Sequence, residues 1–178
     1  MKRICVTGPE STGKTTLARR LAELLGTECV PEAARAYAES VGRVLTQADV
    51  EPIARAHLAL ADAAAERAQA RGAEVLVLDT DLVSTIVYGR HYYDFASAWL
   101  EGEAEARRAD VYLLCDVDVP WIADGIRDRP ENRAAMLALF REALVARGAH
   151  VVNVRGSWAE RQNASLTFTE RFLGARVK

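Results

Sequence analysis

Gly8-Pro9-Glu10-Ser11-Thr12-Gly13-Lys14-Thr15 decides the reading of this chain. The spacing is that of a phosphate-binding P-loop, G-x-x-x-x-G-K-[ST]. Before it, Arg3-Ile4-Cys5-Val6-Thr7 is a short apolar run with β-branched residues, which predicts a buried strand. After it, Leu17, Leu21, Leu24 and Leu25 recur at helical spacing, and Gly26 is suited to close the helix. In that frame the backbone N–H groups of Ser11 to Lys14 converge on a phosphate, and the helix dipole adds positive potential. Lys14 is expected to reach the β- and γ-phosphates of ATP, and the Thr15 hydroxyl to bind Mg²⁺.

Outward from the loop, strands alternate with helices. Thr27 to Val30 reads as a second strand stopped by Pro31, followed by a helix from Glu32 to Val41 closed by Gly42. Thr46 to Arg71 reads as a long alanine-rich helix capped by Thr46, with Pro52 moving its start toward Val50. Ala73 to Leu78 is an apolar strand run, Leu82 to Arg90 a helix, and Phe95 to Arg108 a helix loosened at Gly102. Val111 to Cys115 is a fourth strand. Glu131 to Arg147 is a helix, His150 to Val154 a fifth strand, and Trp158 to Leu173 a last helix. This order predicts an α/β fold with a five-stranded parallel sheet and helices on both faces. Ligands in such sheets bind at the carboxyl ends of the strands. The expected ATP-binding set is therefore Gly8, Glu10, Ser11, Thr12, Gly13, Lys14, Thr15 and Thr16, with Asn153 near the end of the last strand, Gly156 just after it and Arg127 from a loop.

Asp79 ends a hydrophobic strand, where a carboxylate can hold Mg²⁺ beside Thr15. Asp81 can bind the ion or the phosphoryl acceptor, and either aspartate can instead cap the following helix. Glu32 follows the second strand and can take the proton of an acceptor hydroxyl. Arg35 can orient Glu32 or bind the acceptor, or the two can form a surface ion pair. Arg127, Arg129 and Arg133 surround Pro130 in a polar loop. They can form a lid, around residues 124–134, that closes over ATP, or a solvated loop. Tyr88, Tyr92, Tyr93 and Trp121 can stack on a planar ring or pack in the core. His57, His91 and His150 have no metal-ligand spacing.

The composition suits one globular domain of 178 residues. A formal net charge of −2 argues against nucleic-acid binding by bulk electrostatics. Cys5, Cys29 and Cys115 are scattered, and two lie in strand runs, which favours buried thiols over disulfides. No run reaches the ~20 apolar residues of a membrane span. The first strand follows Met1 almost at once, so a cytoplasmic protein without a signal peptide is expected.

Five stretches together resemble the ribosylnicotinamide kinase domain of the bifunctional NAD-biosynthesis regulator family. They are the P-loop at Gly8, Pro31-Glu-Ala-Ala-Arg35, Asp79-Thr-Asp81, Trp121-Ile-Ala-Asp-Gly-Ile-Arg127 and the basic loop after it. The resemblance implies a nucleoside-monophosphate-kinase-like fold with sheet order 2-3-1-4-5. It implies ATP- and Mg²⁺-dependent phosphorylation of the 5′-hydroxyl of nicotinamide riboside, giving the mononucleotide. Lys14 and Thr15 become the ATP and Mg²⁺ residues. Glu32, Arg35, Asp79 and Asp81 fall in the acceptor and metal region, and Trp121, Asp124 and Arg127 lead into the lid. The family's adenylyltransferase HxGH motif does not occur here, so the kinase step alone is expected. Pro31 stands where the bifunctional members carry an aromatic, so the ring-stacking platform is either missing or supplied by another aromatic. Rival readings are a kinase for another nucleoside or a vitamin alcohol, a P-loop nucleotide switch, and a nucleic-acid kinase or regulator. The chain lacks the Asn-Lys-x-Asp and Asp-x-x-Gly signatures of a switch.

Overall fold

The computed structural model of the protein describes residues 1–120 and 132–174. Its centre is a five-stranded sheet of β1 (Lys2–Thr7), β2 (Cys29–Val30), β3 (Val75–Asp79), β4 (Val111–Cys115) and β5 (Val151–Val154). The strands lie in the order β2-β3-β1-β4-β5, and every pairing is parallel. The helices are α1 (Lys14–Leu25), α2 (Ala33–Val41), α3 (Val50–Ala70), α4 (Leu82–Tyr93), α5 (Ala98–Ala106), α6 (Arg133–Ala146) and α7 (Trp158–Leu173).

Strand periodicity divides the core between the two faces. Cys5, Leu76, Leu78, Tyr112 and Leu114 pack against α3, α4 and α6 through Ala64, Val87 and Phe140. The alternate residues Ile4, Val6, Val75, Val77, Leu113 and Cys115 pack against Leu17 and Leu21 of α1 and against Leu166 and Phe172 of α7. A smaller cluster of Val50, Ala54, Leu82, Ile86 and Leu100 joins α3, α4 and α5. Both faces of β3 and β4 are buried, as a parallel sheet requires.

The element ends differ from the sequence reading for local reasons. The second strand is only Cys29–Val30. The long helix begins with a 3₁₀ turn, Gln47–Asp49, closed by a reciprocal capping box of Thr46 and Asp49 before α3 starts at Val50. Asp49 also accepts from both ends of the Arg43 guanidinium and from the Tyr37 hydroxyl. These bonds, Arg43 first, hold its carboxyl well below the usual range. α4 runs to Tyr93 and stops where Asp94 turns left-handed at φ 51°. α5 starts late because the Ser97 hydroxyl accepts the Leu100 N–H, and it runs unbroken through Gly102. Among the described residues, no helix is long and apolar enough to cross a membrane.

Candidate active site

The strands are added on one side of β1 as β3 and β2 and on the other as β4 and β5, and the loop after β1 sits at that switch in strand order. Gly8 has φ +132°, and a Cβ there would lie 2.7 Å from the Cys115 carbonyl oxygen. Only glycine lets the loop lie this close to the end of β4. Ser11 and Gly13 are also left-handed, at φ 54° and 79°. Lys14 opens α1, and its Nζ donates to the Pro9 carbonyl at 2.7 Å. The Thr12 hydroxyl donates to the same oxygen at 2.8 Å. Glu10 reaches the wall of a neighbouring cleft, and Thr16 is exposed on the first turn of α1.

The two aspartates after β3 have different fates because Thr80 between them is left-handed, φ 68°, an unusual state for a β-branched residue. The Thr80 N–H donates to Val6 at 3.0 Å, which ties the turn to β1. Asp79 is 1% exposed, and among the described residues its Oδ1 has no hydrogen-bond partner. Burial pushes its carboxyl up; the Thr15 hydroxyl, Lys14 and Arg19 pull the other way, and the Glu32 charge adds to the rise. Asp79, Thr15, Lys14 and Glu32 thus share one electrostatic neighbourhood. Asp81 points elsewhere. Its Oδ1 accepts the Val83 N–H at 3.0 Å, capping α4, and its Oδ2 accepts the Tyr112 hydroxyl at 2.6 Å. Burial raises its carboxyl as well, opposed by Tyr112 and the cap. A buried orphan oxygen beside a threonine hydroxyl suits a hard cation, so Asp79 and Thr15 are the pair that can hold Mg²⁺. Among the described residues, no group of three or more His, Cys, Asp or Glu side chains could hold a metal.

Glu32 precedes α2 and leaves its side chain uncommitted to capping. Arg35 Nε lies 3.8 Å from Glu32 Oε2, a loose ion pair one turn on. Between the P-loop, α4 and the start of α6 lies a cleft of about 420 Å³, lined by Pro9, Glu10, Tyr88, His91, Tyr92, Asn132, Arg133 and Met136. The Tyr88 and Tyr92 rings are near parallel, 8° apart with centroids 6.1 Å apart. Tyr88 also meets Phe140 of the core edge-on, whereas Tyr92 is half exposed. Tyr93 does not line the cleft; its hydroxyl donates to the Leu45 carbonyl. Arg133 Nη2 donates to the carbonyls of Val117 and Val119, at 2.5 and 2.8 Å, and its Nη1 reaches Ser11 at 3.4 Å. Trp121, Asp124, Arg127 and Arg129, and with them most of the expected lid, lie outside the described residues.

On the far side, the Gly156 N–H donates to Asp118 Oδ2 at 2.5 Å. Asn153 is exposed on the edge strand, on the face opposite Val154. Sequence reasoning missed Arg161 entirely. It is 1% exposed, and its Nη1 donates to the Thr12 carbonyl inside the P-loop at 3.1 Å. The Ser157/Glu160 capping box announces a helix start there, but no local signal says that the next residue turns inward.

This architecture has relatives. An AAA-domain family matches residues 3–161. The chain belongs to that AAA-domain family. The AAA-domain chain is also 29% identical over 161 residues to the trifunctional NAD biosynthesis/regulator protein NadR of Salmonella typhimurium, a match covering 87% of this chain and 38% of that protein. It thus spans less than half the length of this curated relative. Among solved structures, NadR in complex with NR superposes with a TM-score of 0.82 at 22% identity, covering 99% of this chain and 52% of that one. NadR in complex with NAD and AMP-PNP gives 0.73 at 23% identity, covering 99% and 51%. A thymidylate kinase from Ehrlichia chaffeensis gives 0.69 at 13% identity, covering 97% and 98%. The AAA-domain chain therefore has the P-loop kinase fold, and the sheet order implied by the resemblance is the one observed.

Proposed function

We propose that this chain transfers the γ-phosphoryl group of ATP to the 5′-hydroxyl of nicotinamide riboside, giving the mononucleotide and ADP. The observation that carries the reading is the junction of two sites. A P-loop with a buried, half-unpaired Asp79 beneath it opens directly onto a cleft walled by the parallel rings of Tyr88 and Tyr92. The likeness to NadR supports nicotinamide riboside as the acceptor.

Lys14 exchanges the Pro9 carbonyl for the β- and γ-phosphates, and the N–H groups of Ser11 to Lys14 bind phosphate oxygens. Mg²⁺ held by Thr15 and Asp79 would offset charge on the β- and γ-oxygens. The acceptor oxygen attacks the γ-phosphorus, the bond from that phosphorus to the bridging oxygen breaks, and ADP leaves. The hydroxyl proton passes to Glu32, with Arg35 orienting the carboxylate. Tyr88 and Tyr92 hold the ring, in a role that Trp121 and Asp124 would share. Asp81 contributes from beneath, by capping the helix that carries both tyrosines. Arg127 and Arg129 would offset the charge that develops on the departing phosphate.

The test is an acceptor panel with the purified chain, ATP and Mg²⁺, reading the phosphorylated product by mass. Nicotinamide riboside should be the best substrate. Faster turnover of adenosine, uridine or thiamine would overturn the acceptor and keep the kinase. Nucleotide binding without transfer to any small alcohol would overturn the kinase.

A further inference from the structure

The P-loop is held from behind by a buried cation. Arg161 lies in the first turn of α7, yet its guanidinium is fully enclosed. Nε donates to the Gly156 carbonyl at 2.9 Å, Nη1 to Thr12 at 3.1 Å and Nη2 to Asp116 at 3.1 Å, and Nη2 also pairs with Asp118. One side chain thus joins the P-loop, the turn after β4 and the turn after β5. Those turns are further fastened by the Gly156 N–H on Asp118. Burying a guanidinium is costly unless its donors are used, and here all three nitrogens are engaged.

The contact with Thr12 has a directional consequence. The peptide bonds of the described residues are all trans. In a planar trans peptide the carbonyl and the following N–H point opposite ways. Drawing the Thr12 oxygen back toward a buried guanidinium aims the Gly13 N–H outward, to the side where Gly13 is exposed. We propose that Arg161 is a positioning residue that presets the P-loop in its anion-binding form, orienting loop N–H groups before any nucleotide arrives. The proposal rests on the phosphate-binding role given to the loop above, and not on the identity of the acceptor.

Arg161→Lys is the direct test, because one ammonium on a flexible stem cannot span three carbonyls. A non-hydrolysable ATP analogue is titrated calorimetrically into wild type and variant well below their melting temperatures, and KM is measured for ATP and for the riboside separately. Loss of the Thr12 contact should weaken analogue binding by about tenfold, the order expected for one hydrogen bond. The KM for ATP should rise and that for the riboside should stay within twofold of wild type. Should Arg161→Lys fail to fold, Asp118→Ala removes the carboxylate that anchors the guanidinium, and the same split should appear with a smaller amplitude. Wild-type affinity for the analogue in either folded variant overturns the proposal. Equal rises in both KM values also overturn it, because general loosening then accounts for the effect. If the wild type binds the analogue but phosphorylates no small alcohol, the kinase reading falls, while analogue binding still decides the role of Arg161.

Discussion

Asp79→Asn should make the protein more stable and nearly inactive. The wild-type carboxylate is 1% exposed, and Oδ1 finds no partner among the described residues. A buried polar group without a hydrogen bond costs about 1–3 kcal/mol, and a charged one more. Glu32 adds like-charge repulsion, which Thr15, Lys14 and Arg19 only partly offset. Asparagine keeps the shape and removes the charge, so a gain of roughly 1.5 kcal/mol is expected in the ligand-free protein. For a chain of this size that raises Tm by about 3–6 °C. Catalysis should move the other way. Loss of one preorganised electrostatic group at a phosphoryl-transfer site costs roughly 2.7–4 kcal/mol of transition-state stabilisation, or about 10²–10³ in kcat. Thermal melts of both proteins without ligand, melts with Mg²⁺ and an ATP analogue, and initial rates make the assay. The extra stabilisation that Mg²⁺ gives the wild type should shrink in the variant. A variant that melts below wild type and turns over at the wild-type rate would refute the reasoning at both ends. Asp79 would then be an ordinary paired core residue with no bearing on the metal.

Three further outcomes are expected. Burial, with Arg3 and Arg107 adding to it, depresses His57 to about 4 from an ordinary 6.5. The unfolded chain therefore takes up a proton that the native state refuses as pH falls below 6.5. Stability should drop by about 2 kcal/mol between pH 7 and pH 5 from this group alone. Urea titrations at the two pH values should show that difference shrinking in His57→Gln. Tyr92→Ala should raise the riboside KM by roughly tenfold with little change in Tm, since Tyr92 is half exposed. Tyr88→Ala should do the same and also lower Tm, because it loses its contact with Phe140; equal Tm values for the two variants would contradict this division. Glu32→Gln should lower kcat by roughly 10²–10⁴ while the riboside KM stays nearly constant. A variant that changes KM alone would remove Glu32 from proton transfer.

Much of this molecule could be read from local pattern. The strand, glycine loop and helix around Gly8 to Thr15 carry their own geometry in neighbouring residues, so the P-loop lies where the spacing put it. The apolar runs at Val75 and Val111 are central strands buried on both faces. What escaped depends on torsion or distance. Asp79 and Asp81 are equivalent on paper, and the left-handed Thr80 separates them, one to the P-loop and one to the Tyr112 hydroxyl. Arg161 meets Thr12 across 149 residues of sequence, a contact that no periodicity encodes. Tyr92 and Tyr93 are adjacent, yet helix rotation gives one to the cleft and the other to the Leu45 carbonyl.

The bond from Lys14 to the Pro9 carbonyl bears on which anions the loop would accept. A ring of N–H dipoles with a free ammonium at its rim would attract any small anion in the cell. With the ammonium already seated on a carbonyl, a visitor must carry enough charge to draw it away while satisfying the dipoles at the same time. Chloride or a lone monoanion does one of these things poorly and the other hardly at all. A chain of linked phosphates does both in one encounter. Under the phosphate-binding role proposed for the loop, the lysine would set a threshold on valence and sort anions by charge before shape is consulted.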